Sequence, residues 1–493
     1  MKKSITQRSI TSTIWNMGGS FSYLFIGALK SIILMRLLPV DTFGLYATAI
    51  SIISLTMGIP KFGMNSAFLF RCEETSNVDK TAKNHFTLIL IFFTAWLVIL
   101  ISCLFIFTNQ TQLEFRTAFA VIALSIYVLE LTNTPSSILT REINQKRIAM
   151  IQFIDICIGL IVGIFLATQK LYLWALLSTN IVTALVNIYF FYFWKPVWKP
   201  QLGLDKKISK YFINFGSKSV VAKIIYDGLA RIDDLFTAKY LGNTLMGYYT
   251  KAYQLATYPA LVLAKPIEPV ATSIYAELKH DNKKLSESYL LINSLLIRSG
   301  FFLAGLIALV SKEFIIIVLT DKWLPILDAF RFMLIFTLFN PMINTIGNLF
   351  VAVGKPEIIV KVRVYQLLTL IIALLALGFK YGISGVAIAV DIMLATGLII
   401  FLYIAKSYVK LNIKKMFLNP MIAISASMIT GLLPSILGIT ITENYYLLAI
   451  IKGSIFSIVY FLILLIIDKQ QLIPIYTIIK TYFFDKLKTR NSS

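Results

Sequence analysis

Fourteen predominantly apolar stretches follow one another along this 493-residue chain, and only short loops separate them. They are centred on residues 11–38, 43–64, 84–107, 114–138, 149–168, 171–193, 210–240, 246–266, 289–311, 324–346, 358–379, 383–405, 417–438 and 445–467. Most reach about 20 residues, the length that crosses a hydrocarbon core of about 30 Å. Inside lipid each backbone N–H and C=O must be satisfied within the segment, so stretches of this kind fold as helices. With 58% hydrophobic and 14% charged residues, the chain reads as an all-α integral membrane protein of about 14 transmembrane helices. The loops leave no room for a soluble catalytic domain. Met1–Arg8 runs into the first span without a small-residue cleavage site, so no removable signal peptide is expected.

The formal charge is +22, and its placement is topological. Cations crowd alternate loops: Lys2, Lys3 and Arg8; Arg71, Lys80 and Lys83; Arg141, Lys146 and Arg147; Lys195 to Lys210; Lys279 to Lys284; Lys355 to Arg363; Lys406 to Lys415; and the tail from Lys469 to Arg490. The other loops hold few, such as Arg116, Lys170, Lys312, Lys322 and Lys380. The positive-inside rule then puts both termini in the cytoplasm. No basic cluster sits in a soluble module, so nucleic acid is not an expected partner. Cys72, Cys103 and Cys157 form no CxxC, and His85 and His280 read as imidazoles in or beside loops, so no metal site is expected. Gly354-Lys355 leads into Pro356 and lacks the rest of a P-loop, which argues against ATP hydrolysis. No cofactor is called for; a proton or sodium gradient would supply the energy. Glu130, Asp155 and Asp391, with Asp227 and Asp234, are the candidate ion carriers.

The chain repeats itself. Arg36–Tyr46, around the first hairpin, aligns without a gap on Lys239–Tyr249 at an offset of 203 residues, sharing a cation, a Leu, a turn residue and Gly-x-Tyr. An even number of spans separates the copies, which predicts parallel repeats with a substrate site between two lobes. The expected organisation is an N-terminal lobe over 1–194, a cytoplasmic linker over 195–210 that lets the lobes rock, and a C-terminal lobe over 211–405. Two further spans and the basic tail occupy 406–493.

Ser219 to Leu241 is apolar enough to span a membrane, yet it carries Lys223, Asp227, Arg231 and Asp234 at spacings of four, four and three. At 3.6 residues per turn they form one stripe. A charge at the bilayer centre costs about 2.5–3.5 kcal/mol on insertion scales, so the stripe must face protein or water. It reads as the lining of a cationic cavity, with the acids partly neutralising the cations. Asn16, Ser20, Tyr23, Gly27 and Lys30 share a face of the first span, and Lys251, Gln254 and Tyr258 a face of the eighth. Lys30, Lys223, Arg231, Lys251, Arg298 and Arg331 are the candidate binders of an anionic head group, and Tyr23, Tyr226, Tyr253 and Tyr258 the candidate sugar contacts. Lys61, Lys265 and Lys452 read as snorkelling side chains. Gly159-xxx-Gly163 and Gly378-xxx-Gly382 read as close-packing sites.

The run Arg231-Ile232-Asp233, Leu241-Gly242, Met246-Gly247-Tyr248-Tyr249, Ala252 and Pro259 resembles the start of the second lobe in Wzx-type polysaccharide exporters. These belong to the multidrug/oligosaccharidyl-lipid/polysaccharide (MOP) superfamily. Leu37-Leu38-Pro39 with Phe43-Gly44-Leu45-Tyr46 is similar to their first hairpin. The resemblance implies a MATE-like fold with a V-shaped central cleft. It also implies a flippase in a bacterial plasma membrane that moves undecaprenyl-pyrophosphate-linked oligosaccharides outward for O-antigen, capsule or exopolysaccharide synthesis. Partners would be the bilayer and the polymerase and chain-length machinery of the same pathway. A peptidoglycan-precursor flippase, a drug/cation antiporter of the same superfamily and a membrane polymerase or ligase are the competing readings.

Overall fold

A computed structural model describes residues 5–107, 113–436 and 445–469; the tail cations beyond Lys469 lie outside the described residues. Among those residues there are helices and no strands. The first six long helices are α1 (Ile5–Leu37), α2 (Val40–Lys61), α3 (Val78–Phe107), α4 (Leu113–Glu130), α5 (Gln145–Thr168) and α6 (Tyr172–Ile188). They are followed by α7 (Lys206–Phe236), α8 (Asn243–Leu278), α9 (Asn282–Phe314) and α10 (Ile335–Ala352). The chain closes with α11 (Glu357–Ala373), α12 (Phe379–Ala405), α13 (Ile413–Ile436) and α14 (Tyr445–Ile467). By length and composition 11 stretches can cross a membrane, one of which, Glu357–Ala405, holds both α11 and α12. The two long helices not among them are α7 and α8, whose charged faces dilute their hydropathy. With α7 and α8 the described residues hold fourteen long helices, roughly consistent with the expected count of about fourteen spans.

Helix ends follow local chemistry. Pro39, in extended geometry, opens α2, where a missing N–H costs nothing. The Asp205 carboxylate caps α7 by accepting from the Lys207 and Ile208 N–H groups. Gly382, at φ +57, turns the chain between the eleventh and twelfth spans, with open space where a Cβ would stand. It is a turn residue, which corrects the close-packing reading of Gly378-xxx-Gly382.

The chain divides into two compact units, Met1–Thr250 and Lys251–Ser493. In the first, α1 packs on α5, α5 on α6, α6 on α4, and α2 on α7. In the second, α9 is the hub, touching α10, α13 and α14, while α11 and α12 pack as a pair. The helix expected to open a second lobe, α7, thus packs within the first unit. Its leading segment is no slack tether: Trp198 Nε1 donates to Asp79 (3.3 Å), Gly203 N to Thr87 (3.0 Å), and Lys80 pairs with Asp205 (3.0 Å).

Within the first unit the two repeated hairpins meet. A Cβ on Gly44 would fall 1.7 Å from the Asn243 carbonyl oxygen, and one on Gly247 would fall 2.2 Å from that of Val40. At the 203-residue offset Val40 corresponds to Asn243 and Gly44 to Gly247. The contact is self-complementary, as across a two-fold axis.

Candidate functional site

The polar face of α7 is built against α2. Ser51 Oγ donates to Asp234 (2.7 Å), and a Cβ on Gly58 would press to 2.6 Å from Asp227 and 3.0 Å from the Lys223 stem. Glycine at 58 therefore makes room for both side chains. At 3.6 residues per turn the two acids occupy the middle of the stripe and the two cations its edges. The acids are accordingly buried, whereas the Lys223 and Arg231 side chains are 44% and 37% exposed. Each cation is paired on its own helix, Lys223 with Asp227 and Arg231 with Asp234 (3.1 Å). The acids anchor and the cations project. Lys223 Nζ also lies 5.3 Å above the ring of the exposed Tyr226. One residue further in, Asp233 accepts from the Tyr249 hydroxyl (2.5 Å), an interaction the sequence reading missed.

On α8, Lys251 donates to Gln254 (2.8 Å) and Gln254 to Tyr258 (2.9 Å), a polar ladder along one face; Tyr253 instead packs edge-on against Phe336 (5.6 Å). Lys30 departs from expectation. It is buried and donates to Thr179 (2.7 Å), while one turn along α6 Thr183 donates to Asp155 (2.9 Å). Gly159 and Gly163 form its slot: their Cβ atoms would lie 3.1 Å and 3.4 Å from the Lys30 Nζ and Cε. Lys30 is thus an internal cation rather than an exposed one, and this glycine pair packs against a lysine stem. Tyr23, on the same helix, is 41% exposed.

Residues 33–328, more than half of the chain, match the profile of the family described as "Polysaccharide biosynthesis protein". The chain belongs to this family. Among its relatives, this polysaccharide biosynthesis protein is 23% identical over 393 residues to the lipopolysaccharide biosynthesis protein WzxC of Escherichia coli (strain K12), with 78% of each chain covered. It is 27% identical over 166 residues to the teichuronic acid biosynthesis protein TuaB of Bacillus subtilis (strain 168), covering 34% of each. Among solved structures it resembles the lipid II flippase MurJ in an inward closed conformation. That TM-score is 0.73 at 18% identity, over 93% of this chain and all of that one. An inward-facing MATE multidrug transporter of the MOP superfamily gives 0.58 at 14% identity, over 80% and 95%. The fold is that of MOP transporters.

The remaining intramembrane charges of this family member are mostly committed. Arg298 is buried, its Nε donating to Asp468 (2.6 Å), which also accepts from Asn419 (2.9 Å). Arg298 is therefore a structural partner and not a binding cation. Lys452 does not snorkel but pairs, buried, with Glu313 (2.6 Å). Glu130 pairs with Lys61 (3.0 Å) and accepts from Asn133, and Asp227 and Asp234 are likewise each paired with a cation. Arg331 is exposed, with its Nε bound to Ser311 (2.8 Å). Asp391 is buried, and neither carboxylate oxygen has a hydrogen-bond partner among the described residues. His85 is not beside a loop: it is buried in α3, 5.0 Å from the Phe68 ring and 5.5 Å from that of Phe212. No cluster able to hold a metal occurs among the described residues.

Proposed function

We propose that the chain is a flippase for undecaprenyl-pyrophosphate-linked oligosaccharides, carrying them from the cytoplasmic to the outer face of a bacterial plasma membrane by alternating access. Membership of the polysaccharide biosynthesis family and the MOP fold support transport over enzymatic chemistry. The observation that carries the reading is the split of the α7 stripe. Its acids turn into α2, and Lys223 and Arg231 stand at the edges with more than a third of each side chain accessible. Two such cations suit a pyrophosphate, which takes charge-assisted hydrogen bonds from both. Tyr226 beside Lys223 offers a ring face to the first sugar. Lys251, Gln254 and Tyr258 provide a second polar track on α8, and Arg331 is a further exposed cation. Both termini face the cytoplasm, and the polyprenyl tail stays in lipid.

The test is a strain lacking the chain. Undecaprenyl-linked repeat units should accumulate on the cytoplasmic face, and Lys223→Ala or Arg231→Ala should fail to restore export while inserting normally. Full export by both variants would remove the cationic face from the mechanism. Repeat units that reach the outer face unpolymerised would move the protein downstream of translocation.

A further inference from the structure

At one end of the first unit the α1–α2 turn, the start of α4 and the α5–α6 turn surround a cavity of about 580 Å³. That is within the range of small-molecule sites. Asp41, Glu114, Lys170, Tyr172, Trp174 and Asn243 contribute its polar and aromatic lining. Under the orientation proposed above, this end faces away from the cytoplasm.

The state of these groups sets the cavity apart. At the opposite end of the same unit the charges are spent on the protein: Lys83 pairs with Asp79 (2.8 Å), Lys207 with Glu73 (3.0 Å), and Arg141 donates to the Phe68 and Thr75 carbonyls. Around the cavity, the side chains of Glu114, Lys170, Tyr172, Trp174 and Asn243 have no hydrogen bond or ion pair among the described residues. Lys170 is held there in left-handed geometry at φ +60, which a residue with a Cβ seldom adopts.

We infer that this cavity is a saccharide site that receives the sugar portion of the cargo at the outer face, apart from the cations that hold its pyrophosphate. Trp174, 42% exposed, offers an indole face to the C–H side of a pyranose and an N–H to its hydroxyls. Asp41 and Glu114 accept from vicinal hydroxyls, and Lys170 and Asn243 donate to ring and hydroxyl oxygens. Two carboxylates against one ammonium make the cavity net acidic, which turns away a pyrophosphate and separates it from the α7 face. The inference rests on the flippase reading for the origin of its sugar.

The experiment uses the full chain in lipid nanodiscs and, as probe, the repeat-unit oligosaccharide of the producing bacterium, freed of lipid and phosphate and fluorescently labelled. Wild type should bind it, and Trp174→Ala and Glu114→Gln should each weaken binding by about ten-fold or more, which is about 1.4 kcal/mol. Lys223→Ala should bind it as wild type does while failing to export. Glu114→Gln alters an exposed group with no partner among the described residues and keeps the side chain's shape, so its effect is not one of misfolding. No binding by wild type, or unchanged affinity in both cavity variants, overturns the inference. Retained binding in a protein whose absence leaves lipid-linked sugars normally distributed supports the site and sinks only the flippase reading.

Discussion

Asp468→Ala tests how the last two helices are held. Asp468 takes the Arg298 guanidinium through two nitrogens and the Asn419 amide through its other oxygen, linking α9, α13 and the end of α14. Arg298 is 4% exposed, so removing the carboxylate strands a charge that water cannot reach. Breaking one side of a buried pair costs about 3–5 kcal/mol. The second rung, Lys452 with Glu313, has the opposite polarity: α9 presents Arg298 then Glu313, and the antiparallel α14 answers with Asp468 and Lys452. At 1.5 Å per residue the two rungs lie about 23 Å apart, so together they fix the direction and register of α14. Reversible unfolding in mixed micelles should show the full loss for Asp468→Ala. Replacing both partners with apolar residues, Arg298→Met with Asp468→Leu, should recover most of it. A single variant within about 1 kcal/mol of wild type would refute the reasoning, because an uncompensated buried guanidinium costs more than that.

Three further outcomes follow from the packing. Gly247→Val should drive the α8 backbone away from Val40 and abolish export, with Gly44→Val behaving alike; the check is export beside membrane insertion. Gly159→Leu should expel the Lys30 amine from its slot, so that Lys30, protected in wild type, reacts with an amine-specific probe in membranes. The Ile208 N–H and then Lys80 hold the Asp205 carboxyl below the usual carboxylate range. Its stabilisation is thus fully present above the unfolded-state value of about 3.9 and is lost as pH falls through the lower folded value. Thermal unfolding of Asp205→Asn should consequently depend less on pH in the acid range below about pH 4 than wild type.

Much of this was legible in the chain. Apolar length fixes the spans, because lipid permits no other solution for the backbone. Helical spacing correctly joined Lys251 to Gln254 and Tyr258, and it put Lys223 within reach of Asp227, since local partners share a helix face. The same periodicity says which way a side chain points but not what it meets. Arg298 finds Asp468 across 170 residues and Lys452 finds Glu313 across 139. Lys30 and Arg298 therefore read as cleft cations until their neighbours were seen. His85 was expected in or beside a loop, but the helix starts seven residues earlier, at Val78, and carries it into the core. For Lys30 a signal was present: two glycines four residues apart on α5 leave a gap that a long side chain can fill.

The paired approach of Gly44 to Asn243 and of Gly247 to Val40 also has a mechanical side. With no Cβ between them, the two backbones stand in direct contact at both points, so the turns bear on each other without a cushioning side chain. One hairpin follows a helix that hides its lysine, the other a helix that keeps its cations at the surface, and this seam is where a shift of either would be felt by the other.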